Sequence, residues 1–314
     1  MRCPRCHFDH ELQTTECLKC GIVFSRYRPP LEAEAKQDSS AVSAPRPVSL
    51  PAPPIDRSDT IRELKYRALA LPLALLLARL LARKPFQIAT AMLAMVLHES
   101  GHAITAWLTG RWAVPLLWVT PHGQERSWFI VVVLSVAILF AGFYAWKTER
   151  WGSVGAAAAA LLLQMIFLSL PAEALIIFCG DGGALVLATL LMATFYAPRE
   201  SSLHRAWGLR WGLLVIGALI FMHVFLLWTG PLEDIPFGEI EGVNLSDPSL
   251  LTEMYGWSVT QMVERYVHLG TICLIALFLL YFWGLLSAYL ELHRSSSPPP
   301  QQHSPVAGLA GHAQ

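Results

Sequence analysis

Charged side chains are scarce in this chain. Asp, Glu, Lys and Arg make up 15% of its 314 residues, against about 25% in soluble domains. The shortage is uneven. Residues 1–67 and 291–314 are polar, while 68–290 hold long apolar runs. That pattern excludes an ordinary soluble enzyme and predicts a membrane domain with polar ends. The formal net charge is zero and no basic stripe is present, so no nucleic-acid partner is expected. The first ten residues, MRCPRCHFDH, lack an apolar core. A secretory signal is therefore not expected, and insertion should rely on the first transmembrane segments. Cysteine is also sparse. Of six cysteines, four fall within the first 20 residues, which does not fit the disulfide framework of a small secreted domain.

Those four, Cys3, Cys6, Cys17 and Cys20, form two C-x-x-C pairs. Paired knuckles of this kind supply the four thiolates of a tetrahedral structural zinc. Residues 1–28 are too few to fold on apolar burial alone, so the metal would hold the module together. Its spacing and its Cys-Gly-Ile-Val-Phe ending resemble short zinc ribbons. A redox dithiol pair is the alternative. Thiolate ligands call for a reducing compartment, which places the N-terminus in the cytoplasm. Residues 29–57 are rich in Pro, Ser and Ala and read as an extended disordered linker. A ribbon on such a linker suggests docking of a partner protein or substrate.

The membrane domain is expected over 58–290, with a disordered Ser/Pro/Gln-rich tail over 291–314. The segment 58–67, SDTIRELKYR, predicts a charged helix leading to the bilayer. Apolar runs follow at 68–82, 85–109, 127–146, 153–178, 181–197, 210–229 and 268–290. A span needs about 20 apolar residues. The fold class predicted is an all-α polytopic membrane protein with about five to seven transmembrane helices and a small N-terminal zinc ribbon. Run 68–82 could lie in the interface instead, and a break is expected at the Cys179–Gly183 turn. Basic residues cluster at 79–84, 147–150 and 199–210, whereas 230–267 is acidic. The positive-inside rule then puts the basic loops and the C-terminus in the cytoplasm. The expected location is a bacterial inner membrane.

One apolar run carries chemistry. Within AMLAMVLHESGHAITAWLTG lies His98-Glu99-Ser100-Gly101-His102. Residues four apart share one face of a helix, so both imidazoles can reach one metal ion. Glu99 can reach a water on that ion. Two histidines with an adjacent Glu is the arrangement of zinc proteases. Ionisable groups in hydrocarbon cost several kcal/mol unless paired or bound to metal. A buried polar cluster bonding neighbouring helices is the competing explanation. A catalytic zinc takes three protein ligands and leaves one position open. Candidates for the third are His122, Glu173, Asp181, His223 and His268. Asp181 is favoured, because the glycines of Cys179-Gly180-Asp181-Gly182-Gly183 allow close backbone approach. An ordinary helix N-cap is its other reading.

An H-E-x-G-H helix followed some 80 residues later by Asp-Gly in another apolar segment resembles the site-2 protease family of intramembrane zinc metalloproteases. The resemblance covers about residues 85–197. It implies that His98, His102 and Asp181 hold the catalytic zinc, and that Glu99 is the catalytic acid/base. Two zinc ions per chain are then expected, one catalytic and one structural. The substrate would be a membrane protein or peptide, met within the lipid bilayer. The second motif departs from the family form, in which an Asn-Pro pair precedes Leu-Asp-Gly. Here Gly180 precedes Asp181, Pro171 is the nearest upstream proline, and Asn244 is the chain's only asparagine. The chain thus looks like a divergent branch. A non-proteolytic metal transporter or regulatory scaffold on a protease-like fold is the alternative function.

Overall fold

A computed structural model of the chain describes residues 57–83, 85–198, 201, 206–241 and 244–294. The module with Cys3, Cys6, Cys17 and Cys20, nearly all of the 29–57 linker and the tail beyond residue 294 lie outside the described residues. Among the described residues, eight α-helices follow in order: α1 (Arg57–Leu81), α2 (Gln87–Leu108), α3 (Trp128–Lys147), α4 (Trp151–Ser169), α5 (Ala172–Ala193), α6 (Trp207–Thr229), α7 (Asp247–Glu253) and α8 (Val259–Arg294). One short antiparallel pair, Ile240–Glu241 with Asn244–Leu245, interrupts the segment between α6 and α7.

Five of the helices, α3, α4, α5, α6 and α8, are long and apolar enough to cross a membrane. The architecture is that of an all-α polytopic membrane protein. Helices α1 and α2 are not among the five: α1 begins with a charged stretch, and α2 carries Gln87, His98, Glu99 and His102.

The helix boundary expected at Cys179–Gly183 lies elsewhere. Helix α5 runs unbroken through those residues, and the chain turns at Leu170–Pro171 instead. Proline lacks an N–H and biases the preceding residue to extended backbone; Leu170 adopts φ −94°, ψ 160°. Glu173 then falls in the first turn of α5, where a carboxylate suits the helix dipole. Helix α8 is also longer than its apolar run. Ser258 and Gln261 cap its start reciprocally: Gln261 N–H donates to Ser258 Oγ at 3.2 Å, and Ser258 N–H donates to Gln261 Oε1 at 3.4 Å. Its end reaches Arg294, past the predicted start of the tail.

Helix α5 is the centre of the bundle, packed against α2, α6 and α8. Helices α3 and α4 pair mainly with each other, leaving Phe129, Phe140 and Met165 exposed, as suits a lipid-facing surface. Glycine sets the spacing of α2 and α5. A Cβ on Gly101 would lie 2.1 Å from the Cys179 carbonyl oxygen, and one on Gly183 2.5 Å from Gly101 Cα. The two backbones are therefore in direct contact, as small residues permit between membrane helices.

At one end of the bundle, α1 is held by buried charge. The Glu63 carboxylate accepts from Arg210 at 2.7 and 3.1 Å and from Arg67 Nε at 2.8 Å. Arg210 also donates to the Phe195 carbonyl, and Arg67 to Gly284 O and Ser287 Oγ. Burial pushes the Glu63 carboxyl up, but the two guanidiniums outweigh it and hold it below its ordinary value of 4.5.

Two outcomes are expected. Gly183→Ala should cost about 1–3 kcal/mol through overpacking against Gly101. Gly152→Ala, where a Cβ meets nothing within 4 Å, should stay within about 0.5 kcal/mol of the parent; unfolding in a denaturing detergent reads both. Glu63→Gln should cost about 3–5 kcal/mol by leaving buried guanidiniums unpaired. Because the folded carboxyl titrates low, the stability it contributes is present above pH 4.5 and lost as pH falls below it. The Glu63→Gln variant should lose that acid-side dependence.

Candidate metal centre

The contact of Gly101 with Gly183 lays one turn of α2 across the glycine-rich turn of α5. His98 and His102, four residues apart on α2, then face α5 together, their rings 4.6 Å apart at 82°. Each ring is fixed from behind by its Nδ1. His98 Nδ1–H donates to Asp181 Oδ1 at 2.9 Å, and His102 Nδ1–H donates to the Ile176 carbonyl at 2.8 Å. Both Nε2 lone pairs are thereby turned the same way. This is how metal-binding imidazoles are oriented by their outer partners.

The two Nε2 atoms stand 3.0 Å apart. Asp247 Oδ2 completes a triangle, 3.3 Å from His98 Nε2 and 3.1 Å from His102 Nε2. Asp247 opens α7, after Ser246 and before Pro248. Its Oδ2 is buried and has no hydrogen bond of acceptable geometry. Three acceptor atoms this close repel one another unless a cation lies among them. With bonds of about 2.0–2.1 Å, neighbouring donors of a tetrahedral zinc stand about 3.3 Å apart, so the donor set fits such an ion. Burial pushes the Asp247 carboxyl up, but the two imidazoles outweigh it and hold the group well below the usual carboxylate range. Gly180 lies directly beneath. A Cβ there would come within 2.6 Å of both Asp247 Oδ2 and His102 Nε2.

Asp181, favoured from sequence as the third ligand, does not share that triangle, and it sits mid-helix rather than at an N-cap. One carboxylate oxygen is taken by His98 Nδ1, and the other accepts from Trp228 Nε1 at 2.7 Å. Trp228 is buried and stacked on Tyr266 at 3.9 Å. The other candidates go elsewhere. His223 Nδ1 lies 3.1 Å from Thr90 Oγ1. Glu173 pairs with Arg111. His268 lines a separate cleft. His122 lines the same cavity as the two histidines but is not in the cluster.

Asp247 was not singled out by sequence. It is one of several acids in the 230–267 segment, with Glu233, Asp234 and Glu239. Only the Ser-Asp-Pro start of a short helix marks it, and that pattern is explained equally by a helix N-terminus.

Glu99 is buried at 5% exposure, its carboxylate held by Thr120 Oγ1, which donates to Oε2 at 2.7 Å. Thr120 comes from a loop folded back on itself. Ala113 bridges His122, Val114 N–H donates to Pro121 O, and Gly123 N–H donates to Trp112 O. His98, Glu99, His102 and Asp247 all border a cavity of about 670 Å³, closed by this loop on one side and by Leu250, Met254 and Tyr255 on another.

Comparison of the chain with protein-family models, with curated proteins and with solved structures found no match. With Cys3, Cys6, Cys17 and Cys20 changed to serine to remove the other thiolate set, Asp247→Ala should abolish tight binding of one divalent ion. Asp181→Asn should retain binding and weaken it about 10–100-fold; equilibrium dialysis against zinc separates the two.

Proposed function

We propose that the chain is an intramembrane zinc metalloprotease that hydrolyses peptide bonds of membrane-associated proteins or peptides. The observation that carries the reading is the convergence of His98 Nε2, His102 Nε2 and Asp247 Oδ2 beside the Glu99 carboxylate in one cavity. Two imidazoles and one carboxylate are a donor set of catalytic zinc. A zinc ion held there would supply Lewis-acid polarisation of a water and of the scissile carbonyl.

The rest falls to the chain's own groups. Thr120 occupies one oxygen of Glu99, leaving the other to take a proton from the attacking water. The same carboxyl then returns the proton to the departing amine, so that one amide and one water give one carboxylic acid and one amine. Asp181 and the Ile176 carbonyl keep both imidazoles aimed at the shared corner. A substrate helix must unwind locally, because its amides are otherwise engaged in helical hydrogen bonds. The cavity holds space and polar groups for such a segment, with His122, Gln124 and Tyr255 along its wall.

The N-terminal ribbon, with a structural zinc on Cys3, Cys6, Cys17 and Cys20, belongs to the same proposal as a docking module. So does the location, a bacterial inner membrane with the ribbon in the cytoplasm. Were all five helices to cross, the basic 147–150 and 199–210 segments and the end of α8 would share one side, and the acidic 230–258 segment would lie on the other. The positive-inside rule makes the first side cytoplasmic. The packing of Glu63 on Arg210 brings the start of α1 to that same end.

Glu99→Gln tests the reading. It should keep the metal bound at the site and lower cleavage of a membrane peptide about 10²–10⁴-fold. Cleavage undiminished in Glu99→Gln would exclude this role. Metal uptake into vesicles that depends on His98 without any proteolysis would favour a transporter instead.

A further inference from the structure

On the other side of α5 from the metal centre lies a second cleft, between α5 and α8, with a volume of about 420 Å³. Its floor and walls are apolar: Ala174, Leu175 and Phe178 from α5, Leu269 and Ile272 from α8. Both helices are among the five that can cross a membrane, and Ile272 at the rim is 62% exposed. With α5 and α8 crossing a bilayer, the apolar part of this cleft would face lipid.

The mouth is different. Arg265 and His268, three residues apart on α8, both line the cleft. The Arg265 guanidinium lies over the Trp257 ring, 3.9 Å from its centroid. Among the described residues no carboxylate pairs with Arg265 or with His268. A cation on a membrane-spanning helix is costly without a counter-charge. Arg67 and Arg210 share Glu63, and Arg111 has Glu173. The exposed Arg265 has instead an aromatic face beside an apolar slot. Guanidinium matches phosphate oxygens bidentately, and tryptophan favours the headgroup level of a bilayer.

We propose that this cleft is a binding site for an anionic phospholipid, with one acyl chain between α5 and α8 and the headgroup phosphate on Arg265. His268 is placed to donate a second hydrogen bond. The site is independent of the metal-centre reading, since it shares no residue with it. Its volume falls within the about 300–1,000 Å³ of small-molecule sites.

The test uses the full chain in phosphatidylcholine nanodiscs doped with phosphatidylglycerol that carries a photoreactive diazirine on one acyl chain. Crosslinks should map to peptides spanning 170–178 and 257–272. Excess unlabelled phosphatidylglycerol should suppress them, and excess phosphatidylcholine should not. Arg265→Gln should reduce the labelling about tenfold, the loss of one charge-assisted contact, with the unfolding midpoint of the protein unchanged. Ile272→Trp, which narrows the apolar slot and leaves Arg265 in place, should reduce it as well. Equal labelling by diazirine phosphatidylcholine would overturn the proposal. So would labelling unaffected by either variant, or recovery of a co-purified peptide rather than lipid at these positions.

Discussion

The backbone contact between α2 and α5 governs the rest of the molecule. Gly101 and Gly183 permit an approach that no other residue allows, because a Cβ on either would overlap the opposing main chain. Once the helices touch there, the neighbouring residues have little freedom. The turn of α2 on either side of Gly101 presents His98 and His102. The turn of α5 before Gly183 presents Gly180 and Asp181. Gly180 leaves room for the imidazole of His102 and the carboxylate of Asp247, and Asp181 falls behind His98. Gly183 and Gly180, on either side of this aspartate, are thus packing devices, one admitting Gly101 and the other admitting His102 and Asp247. Each glycine is used for proximity rather than for unusual dihedrals, since α5 remains helical throughout.

The same contact explains how so many polar groups are tolerated in an apolar bundle. A buried polar atom costs free energy unless it is paired. Each group near the centre answers this with a specific neighbour. Asp181 uses both oxygens, on His98 and on Trp228; His102 uses the Ile176 carbonyl; Glu99 uses Thr120. Asp247 Oδ2 and the two Nε2 atoms are what remain after these pairings, and they remain together. An arrangement that satisfies every surrounding group and leaves three donor atoms converging is hard to account for by helix packing alone.

Much of this was legible in the sequence, for identifiable reasons. Long apolar runs announce membrane helices through composition, which survives any error in boundaries, and a four-residue spacing fixes His98 and His102 on one helical face. The break expected at the Cys179–Gly183 turn falls instead at Leu170–Pro171, and the close approach that these glycines allow is made within an unbroken helix. In a tightly packed bundle the missing side chain of glycine serves close approach, and Pro171 does the breaking. Asp181 was recognised as belonging near His98, but its side chain serves the far edge of the ring. That distinction depends on whether Nδ1 or Nε2 faces α5, and spacing carries no information about it. Asp247 lies 149 positions from His98 in a segment with many acids, and only the tertiary fold brings it back.

Drawing Asp247 from the segment between α6 and α8 has a consequence for how the centre forms. His98, His102 and Asp181 are positioned by the contact of two helices and can be in place as soon as those helices pair. Asp247 requires the 230–258 segment to be folded as well. That segment is anchored by its own interactions: Gly238 N–H donates to Ser249 Oγ at 2.7 Å, Ser246 Oγ bonds Pro236 O, and Leu251 is fully buried against the bundle. Ser246 and Ser249 are almost completely buried too. A hydroxyl buried this deeply is retained only where its hydrogen bonds are met, so the anchoring is part of the design of the loop rather than incidental contact. The three donor atoms therefore come from two parts of the fold, a helix pair that aims two imidazoles and a docked loop that carries the carboxylate.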